Sequence, residues 1–256
     1  MIWARVAALL CAAALASCSL PPLRGHAEIG RDAYAIFVAD TPDGSDLFAV
    51  LPSGGAPIPL TFTVVDERVP ALAPDGGTLA FLREQHTGDS VRTTVWLMNL
   101  LSGSEREITL PDSLRATPTA VAWAPDGRTV YVHTDRGVVR SSAPPVQGGA
   151  RLVSAAEASA ADSAFYVLLG QPAFGRAAAC DAGVCLIGAD GESTVMAAGA
   201  RSPLRWGRDS VAYFRGDEVE IRPLGPGRAH LLRWEPAPRR PREMTFFEGR
   251  HPARER

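Results

Sequence analysis

Two cysteines near the middle of the chain are spaced for chemistry with each other. Cys180 and Cys185 flank Asp181-Ala182-Gly183-Val184, whose first three residues are typical of a turn between two short strands. The two sulfurs would then face each other across a hairpin, which in an exported protein favours a disulfide. A pair of small buried thiols is the alternative. A metal site is disfavoured because no histidine or further cysteine lies nearby in sequence to complete a tetrahedron.

A third cysteine, Cys18, follows a segment with the features of an export signal. Residues 1–5 carry one positive charge, and residues 6–14 form an apolar run too short to span a bilayer as a helix. The sequence Leu15-Ala16-Ser17-Cys18 resembles the lipobox of bacterial lipoproteins. That resemblance implies removal of a signal peptide, residues 1–17, together with Cys11, and a palmitate-type acyl anchor on Cys18. Ordinary secretory cleavage at Ala14-Leu15-Ala16 is the alternative.

Other residue types exclude several reaction classes. The chain contains no lysine, which removes Schiff-base and Ser-Lys chemistry and the P-loop lysine. None of its five histidines stands at the spacing of a metal pair, and neither Gly-x-Ser-x-Gly nor Gly-x-Gly-x-x-Gly is present. We therefore predict no catalytic residue, no metal and no cofactor. His133, in a predicted strand near Asp135, is interpreted as a packed or hydrogen-bonded side chain.

Acidic residues occur in close pairs and in one triplet. Asp40, Asp43 and Asp46 have the composition of a calcium site, but their spacing differs from an EF-hand loop and two of them fit turn positions. The pairs Asp66-Glu67 and Asp217-Glu218 are predicted in solvated turns. Nothing in their spacing brings two carboxylates together across a cleft for glycoside chemistry.

A repeat of short strands follows the signal segment. From Tyr34 onward, alternating apolar runs are separated by Gly, Asp and Pro, which predicts an all-β fold. A glycine turn before a short strand recurs at steps of 49, 45, 43 and 36 residues, a period typical of the four-stranded antiparallel blades of a β-propeller. These turns are centred on Gly54, Gly103, Gly148, Gly191 and Gly227.

A second turn recurs earlier in the repeats. Pro74-Asp75-Gly76 and Pro125-Asp126-Gly127 are each followed, after one residue, by Thr-(Leu/Val)-x-(Phe/Val). Asp-Gly permits a tight reversal because glycine adopts positive φ without penalty, and proline ends the incoming strand. Residues 206–214 hold a degenerate third copy. Thr41-Pro42-Asp43-Gly44 shares the tetrapeptide but is predicted to join different strands.

These turns divide residues 34–248 into about five blades, or six if residues 154–170 hide further strands. Blade 1 has strands at 35–39, 47–51 and 58–62, and residues 244–247 are predicted to supply its innermost strand, closing the ring. Blades 2 to 5 are predicted at 69–110, 119–154, 165–198 and 203–234. Residues 18–33 would form the lipidated cysteine and a tether. The arginine-rich C-terminal segment is interpreted as a docking arm or a solvated tail, with residues 249–256 as a basic, disordered tail.

At its turns the chain resembles the TolB-like, WD-related propeller repeats of bacterial envelope proteins. Trp123-Ala124-Pro125-Asp126-Gly127 matches the Trp-Ser-Pro-Asp-Gly-like turn of those repeats, and Leu60-Thr61 and Ile108-Thr109 match their closing strand. The resemblance covers residues 34 to 154 and implies a binding platform in the cell envelope. The matching residues specify turns and packing, so the resemblance names no partner.

Together these patterns predict a membrane-anchored, non-catalytic β-propeller lipoprotein that binds another envelope protein or a cell-wall component. We expect a monomeric propeller on the periplasmic side of the outer or inner membrane, or on the outer face of the cell membrane. A formal net charge of −2 predicts no nucleic-acid partner. The alternative is a propeller enzyme or small-ligand binder, of the metal-assisted hydrolase or lactonase type, that uses the central channel. The predicted contact loops at the channel mouth are Asp66–Arg68, Arg115–Pro118, Gln171–Phe174 and Arg201–Arg205.

Overall fold

The computed structural model describes residues 22–144, 149–154, 157, 170–171, 175–188, 190–207 and 209–250. Within these ranges the chain consists mainly of β-strands, and the predicted all-β class is confirmed. No helix of the described ranges is both long and apolar enough to cross a membrane. Cys18, the predicted signal peptide 1–17 and residues 251–256 lie outside the described residues.

The largest sheet contains two four-stranded antiparallel groups. In pairing order, group 1 is β20 (Arg239–Phe247), β1 (Tyr34–Thr41), β2 (Gly44–Val50) and β3 (Ile58–Pro59). Group 2 is β4 (Asp66–Leu72), β5 (Thr78–Thr87), β6 (Ser90–Asn99) and β7 (Glu105–Ile108). A parallel bridge between Ser45 and Asp66 joins the two groups.

Three further sheets have four antiparallel strands each. Group 3 is β8 (Pro118–Trp123), β9 (Thr129–Thr134), β10 (Gly137–Ser142) and β11 (Arg151–Leu152). Group 4 is β12 (Gly170–Gln171), β13 (Gly175–Cys180), β14 (Gly183–Ile187) and β15 (Ser193–Ala198). Group 5 is β16 (Arg201–Trp206), β17 (Ser210–Arg215), β18 (Glu218–Pro223) and β19 (His230–Leu232). We call β20, β4, β8, β12 and β16 the leading strands of their groups.

The apolar core lies between neighbouring groups. β1 is buried on both faces because its alternate side chains enter two clusters: Ile36 packs with Phe81 of group 2, and Phe37 packs with Phe214 of group 5. Two further clusters join group 2 to group 3 and group 4 to group 5. Packed faces therefore connect the groups in the order 3, 2, 1, 5, 4.

The strand nearest the C terminus completes group 1. β20 pairs antiparallel with β1, placing Phe247 opposite Tyr34 and Arg239 opposite Asp40. Residues 244–247, predicted as the missing strand of the first repeat, lie in β20. The strand begins earlier than predicted, so Arg240 and Arg242 belong to the sheet rather than to a solvated tail.

The two Pro-Asp-Gly turns connect leading strands to second strands, as the repeat predicts. Asp75 Oδ1 accepts a hydrogen bond from Gly77 N at 2.8 Å, and Asp126 Oδ1 accepts one from Arg128 N at 2.8 Å. We call the end of the molecule that carries these turns the turn end. Thr41–Gly44 instead joins the second and third strands of group 1, also as predicted.

A disulfide joins Cys180 and Cys185 across the β13–β14 hairpin, with an Sγ–Sγ distance of 2.08 Å. Cys185 lies opposite Ala178 and Cys180 opposite Gly183 in the strand register. The predicted hairpin brings the two thiols together because the two strands reverse over Asp181 and Ala182.

Residues 22–33 lie against the strands at the turn end, which differs from the tether that the sequence predicted. Leu23 is 1% exposed and packs in the cluster that contains Leu79 and Phe247. The Arg31 carbonyl accepts a hydrogen bond from Arg250 N at 2.8 Å. The reason is apolar surface: Ala27 and Ile29 pack on the same cluster.

Candidate binding surface at the mouth

Four of the leading strands, β20, β4, β8 and β16, begin together at the end of the molecule opposite the turn end. β4 contacts β20 and β8, and β16 contacts β20 and β13. We call this end the mouth; it holds the first residues of the leading strands and the hairpins between second and third strands. Three predicted contact loops lie there, at the starts of β4, β8 and β16: Asp66–Arg68, Arg115–Pro118 and Arg201–Arg205. Of the fourth, Gln171 ends β12 and residues 172–174 lie outside the described residues.

Arg68 and Glu243 connect two leading strands, β4 and β20. Arg68 Nη2 lies 2.9 Å from Glu243 Oε1, and Glu243 Oε2 accepts the backbone N–H of Val69 at 2.7 Å. Glu84 Oε2 lies 3.4 Å from Arg68 Nη1. Hydrogen bonding to Glu243 is the largest cause that raises the pKa of Arg68. The arginine side chain is 40% exposed, so a charged partner can reach it.

Further arginines surround the start of β20. Arg242 donates a hydrogen bond to Asp40 of β1, and Arg240 Nη1 lies 3.7 Å from the other carboxylate oxygen of Asp40. From the other side, Arg201 Nη2 donates to the Pro241 carbonyl at 2.9 Å, which links β16 to β20. The mouth of β4, β20 and β16 is therefore built from cations held by carboxylates and a carbonyl.

Bulges in the leading strands direct these side chains. The pairing of β4 with β5 shifts register between Arg68 and Ala71, and that of β16 with β17 shifts between Arg201 and Leu204. Val69 has a φ of +50°, in the left-handed region that β-branched residues avoid. A bulge bends its strand and re-aims the adjacent side chain. Each arginine thereby reaches the neighbouring leading strand.

Glu243, Arg242, Asp40 and Glu84 also belong to this surface, although the sequence patterns do not predict them there. One signal marks the starts of three leading strands, because the tripeptide Arg-x-Pro recurs there, and Arg242 directly follows the third copy. Its copies are Arg68-Val69-Pro70, Arg201-Ser202-Pro203 and Arg239-Arg240-Pro241. The acids have no comparable local signal because they come from separate strands.

Exposed aspartates lie on the hairpins that join second to third strands at the mouth. There is one on each such hairpin of the described chain: Asp43, Asp89, Asp135, Asp181 and Asp217. The mouth thus presents arginines on the leading strands and carboxylates on the hairpins beyond them. A surface with both signs of charge favours a partner whose charges are arranged to match.

The aspartate triplet near the N-terminal side does not converge on one point. Asp40 pairs with arginines of β20, Asp43 lies at the hairpin tip, and Asp46 accepts hydrogen bonds from Thr61 and Thr63. Only Asp43 is a turn residue, so the prediction that two of the three lie in turns is wrong. Within the described ranges, no three His, Cys, Asp or Glu side chains are grouped to hold a metal ion.

Glu67 is fully buried in β4, so its predicted place in a solvated turn is wrong. Its Oε1 lies 2.9 Å from Arg83 Nη2 and accepts the Thr63 hydroxyl at 3.1 Å. Burial raises the pKa of Glu67 to about 7, against the lowering effect of Arg83. Arg83 in turn lies 3.1 Å from Glu105. The strand begins at Asp66, which carries Glu67 inside rather than leaving it in the loop.

The loop before β4 displays two apolar side chains beside the mouth. Phe62 is 81% exposed and Val64 is 82% exposed. Thr63, between them, turns inward: its N–H donates to Asp46 Oδ1 at 3.0 Å and its hydroxyl bonds to Glu67. The loop is therefore held in place while Phe62 and Val64 face solvent, which is the arrangement of an anchor for a protein interface.

No protein-family model and no curated protein sequence matches the chain. Solved structures to which it is similar include TolB from Acinetobacter baumannii, at 15% identity and a TM-score of 0.40, covering 84% of this chain and 55% of that one. Another is dipeptidyl peptidase 4 from Porphyromonas gingivalis, at 12% identity and a TM-score of 0.35, covering 76% of this chain and 37% of that one. A third is the β-propeller domain of the Trilobed protease from Pyrococcus furiosus, at 12% identity and a TM-score of 0.28, covering 78% of this chain and 52% of that one. The chain spans about half of the length of these proteins or less. The description of the fold rests on the strand pairing above.

Proposed function

We propose that the chain is a membrane-anchored, non-catalytic β-propeller lipoprotein that binds another protein of the bacterial envelope through its mouth. The five groups would be the blades, with β20 as the innermost strand of the first. Packed faces already run from group 3 through groups 2, 1 and 5 to group 4. Contact between groups 3 and 4 would complete the ring, and a closed ring leaves few strand edges open.

The position of residues 22–33 supports an orientation for the anchored protein. Their contacts with Phe247 and Arg250 place the start of the described chain at the turn end. A lipid on Cys18 would therefore enter from that end, and the mouth would face away from the membrane. A surface facing away from its own membrane is available to a protein or to the cell wall, and tethering raises the effective concentration of such a partner.

The observation that carries the proposal is the loop that exposes Phe62 and Val64 beside the arginines of the mouth. Protein interfaces combine an apolar anchor near their centre with a polar rim. Phe62 and Val64 supply the anchor, while Arg68 and its carboxylate partners supply charges on rigid strands. We favour an envelope protein as the partner because a folded surface can offer both an apolar pocket and matching charges.

Site-specific photo-crosslinking in cells tests this directly. A photoreactive amino acid replaces Asp217 at the mouth or, as the control, Arg128 at the turn end; both side chains are exposed. We expect a defined crosslinked partner from position 217 and none from position 128. Phe62→Ser and Cys18→Ser should each reduce the yield at position 217, the first by weakening the contact and the second by releasing the protein from its membrane.

Two results would contradict the proposal. Crosslinking of the same partner with equal yield from both positions would place the contact elsewhere. If position 217 gives no crosslinked product and Phe62→Ser behaves like the unchanged chain, the mouth is not a protein-binding surface, and small ligands become the candidates.

A further inference from the structure

The β5–β6 hairpin extends beyond the strand that pairs with its outer side. β5 and β6 pair along ten residues each, as far as Thr87 and Ser90. β7 pairs with β6 only between Val95 and Met98. In the described part of the chain, the β6 edge at Ser90–Thr94 therefore has β5 on one side and no strand on the other.

Backbone groups of Val91 and Thr93 point toward this open edge. Asn99 N–H donates to the Ser104 carbonyl on the β7 side of β6 at 2.9 Å. Alternate residues of a strand direct their N–H and C=O to the same side, so Val91, Thr93 and Val95 face the β7 side as well. Because the pairing with β7 ends at Val95, the N–H and C=O groups of Val91 and Thr93 are available to pair with another strand.

A groove of 480 Å³ lies along the open edge. Residues 91–95 form one wall, and residues 109–112 and 115–118 form the other. The chain leaves the edge at Pro111, which has no N–H, and enters a 3-10 turn, Asp112–Leu114. That departure opens space beside β6 instead of filling it with a longer β7.

Arg92 determines which strand can pair there. Its side chain is exposed and forms no ion pair with any residue of the described ranges. A second copy of this chain, paired antiparallel through Val91 and Thr93, would place two Arg92 side chains directly opposite each other. Like charges at opposite positions destabilise a sheet, so self-pairing is disfavoured, whereas a carboxylate opposite Arg92 is favoured.

We propose that this groove binds an extended segment of another polypeptide as an added β-strand, with an acidic residue opposite Arg92. Its backbone would pair with Val91 and Thr93, as in other recognition by strand addition. The residues on either side of the acid would point to the face of Val91, where Ala116 and Pro118 line the groove. Apolar or β-branched residues suit those two positions. This proposal is independent of the partner proposed for the mouth.

A peptide titration tests the groove. The probe is a fluorescently labelled, capped pentapeptide, Thr-Val-Glu-Val-Thr, added to the full lipidated chain in nanodiscs and followed by anisotropy. We expect the same peptide with lysine in place of glutamate to bind about two- to fivefold more weakly, as cross-strand charge pairs predict. Arg92→Glu should reverse that preference, and because Arg92 is exposed the variant should keep the unfolding midpoint of the original chain.

Val91→Pro tests the backbone contribution. Proline removes an N–H that faces the groove and none that bonds to β5, so the hairpin should persist while both peptides lose about fivefold or more in affinity. Equal binding to Val91→Pro, an unchanged charge preference in Arg92→Glu, or no binding of either peptide would overturn the proposal. If Val91→Pro does not fold, the reversal in Arg92→Glu decides alone.

Discussion

The Pro-Asp-Gly turns and the bulges of the leading strands place similar backbone conformations at opposite ends of the molecule, and fill them with different residues. At the turns the left-handed positions are glycines: Gly76 has a φ of +71° and Gly127 one of +63°. In the leading strands they are Val69 at +50°, Arg240 at +44° and Glu243 at +50°. Glycine adopts this region freely, whereas other residues need compensating contacts.

The compensating contacts at the mouth are tertiary. Glu243 accepts the backbone N–H of Val69, next to the residue whose guanidinium it also binds. The turns need no such support because their aspartates bond to amides two residues away. Local hydrogen bonds therefore support the backbone of the two turns, while the bulges at the mouth depend on strands that are far apart in the chain.

The largest effect is expected at Gly76. A Cβ at this position would lie 2.7 Å from the Phe247 ring, whereas one at Gly127 would meet no atom closer than 3.8 Å. We expect Gly76→Ala to lower the free energy of unfolding by about 3 kcal/mol through overpacking and left-handed strain, and Gly127→Ala by about 1 kcal/mol through strain alone. Urea denaturation of both variants measures the difference, and equal losses would mean that Phe247 yields without cost.

Glu67 should make stability depend on pH. Its pKa is raised to about 7 in the folded chain, mainly by burial, so its ionisation disfavours folding. The stability that the protonated Glu67 carboxyl contributes is fully present below about pH 4.5, the ordinary pKa of the side chain. It is lost as the pH rises through 7, which lowers the free energy of unfolding by up to about 3 kcal/mol. Glu67→Gln removes this contribution. The unfolding free energy of the unchanged chain relative to Glu67→Gln should fall between pH 5 and pH 8; parallel curves would show that Arg83 compensates the burial.

The contact between β4 and β20 should depend on Glu243 more than on Glu84, the second carboxylate at Arg68. Glu243→Ala leaves the Val69 N–H and the Arg68 guanidinium without this acceptor, and should cost about 2 kcal/mol of unfolding free energy. Glu84→Ala removes only the more distant carboxylate of Arg68 and should cost less than about 0.5 kcal/mol. Denaturation at low and high salt checks both values. Similar losses in the two variants would assign the stabilisation to the charge of Arg68 rather than to the bridge.

The smallest effect concerns the strain at Arg240, whose side chain is 85% exposed. Arg240→Gly and Arg240→Ala lose the same ion pair with Asp40, but only glycine relieves the left-handed φ. We expect Arg240→Gly to be more stable than Arg240→Ala by about 1 kcal/mol, the same preference for glycine over alanine as at Gly127. A more stable alanine variant would mean that the bulge relaxes when the arginine is removed.

Much of the strand pattern could be predicted because its signals are local. The turns at Gly54, Gly103, Gly191 and Gly227, the Pro-Asp-Gly turns and the Cys180–Cys185 hairpin all depend on residues within a few positions of one another. The turn predicted at Gly148 lies outside the described residues. The packing of residues 22–33 is not predicted, because a segment with one proline and two glycines gives no periodic signal for Leu23 and Ile29. Glu67 was misplaced for a related reason: a carboxylate next to Asp66 predicts a turn unless Arg83 on the paired strand is known to face it.

The all-β class, the spacing of the repeats and the hairpin that holds the disulfide follow from the amino-acid sequence, since turn chemistry and alternation act over a few residues. The meeting of Arg68, Arg201 and Arg242 with Glu243, Pro241 and Asp40 at one end of the molecule follows only from the packing of the strands. The same holds for Phe62 and Val64, which face solvent while Thr63 turns inward. Charges and exposed apolar groups have no preferred spacing in sequence, because their partners depend on which strands the fold brings together.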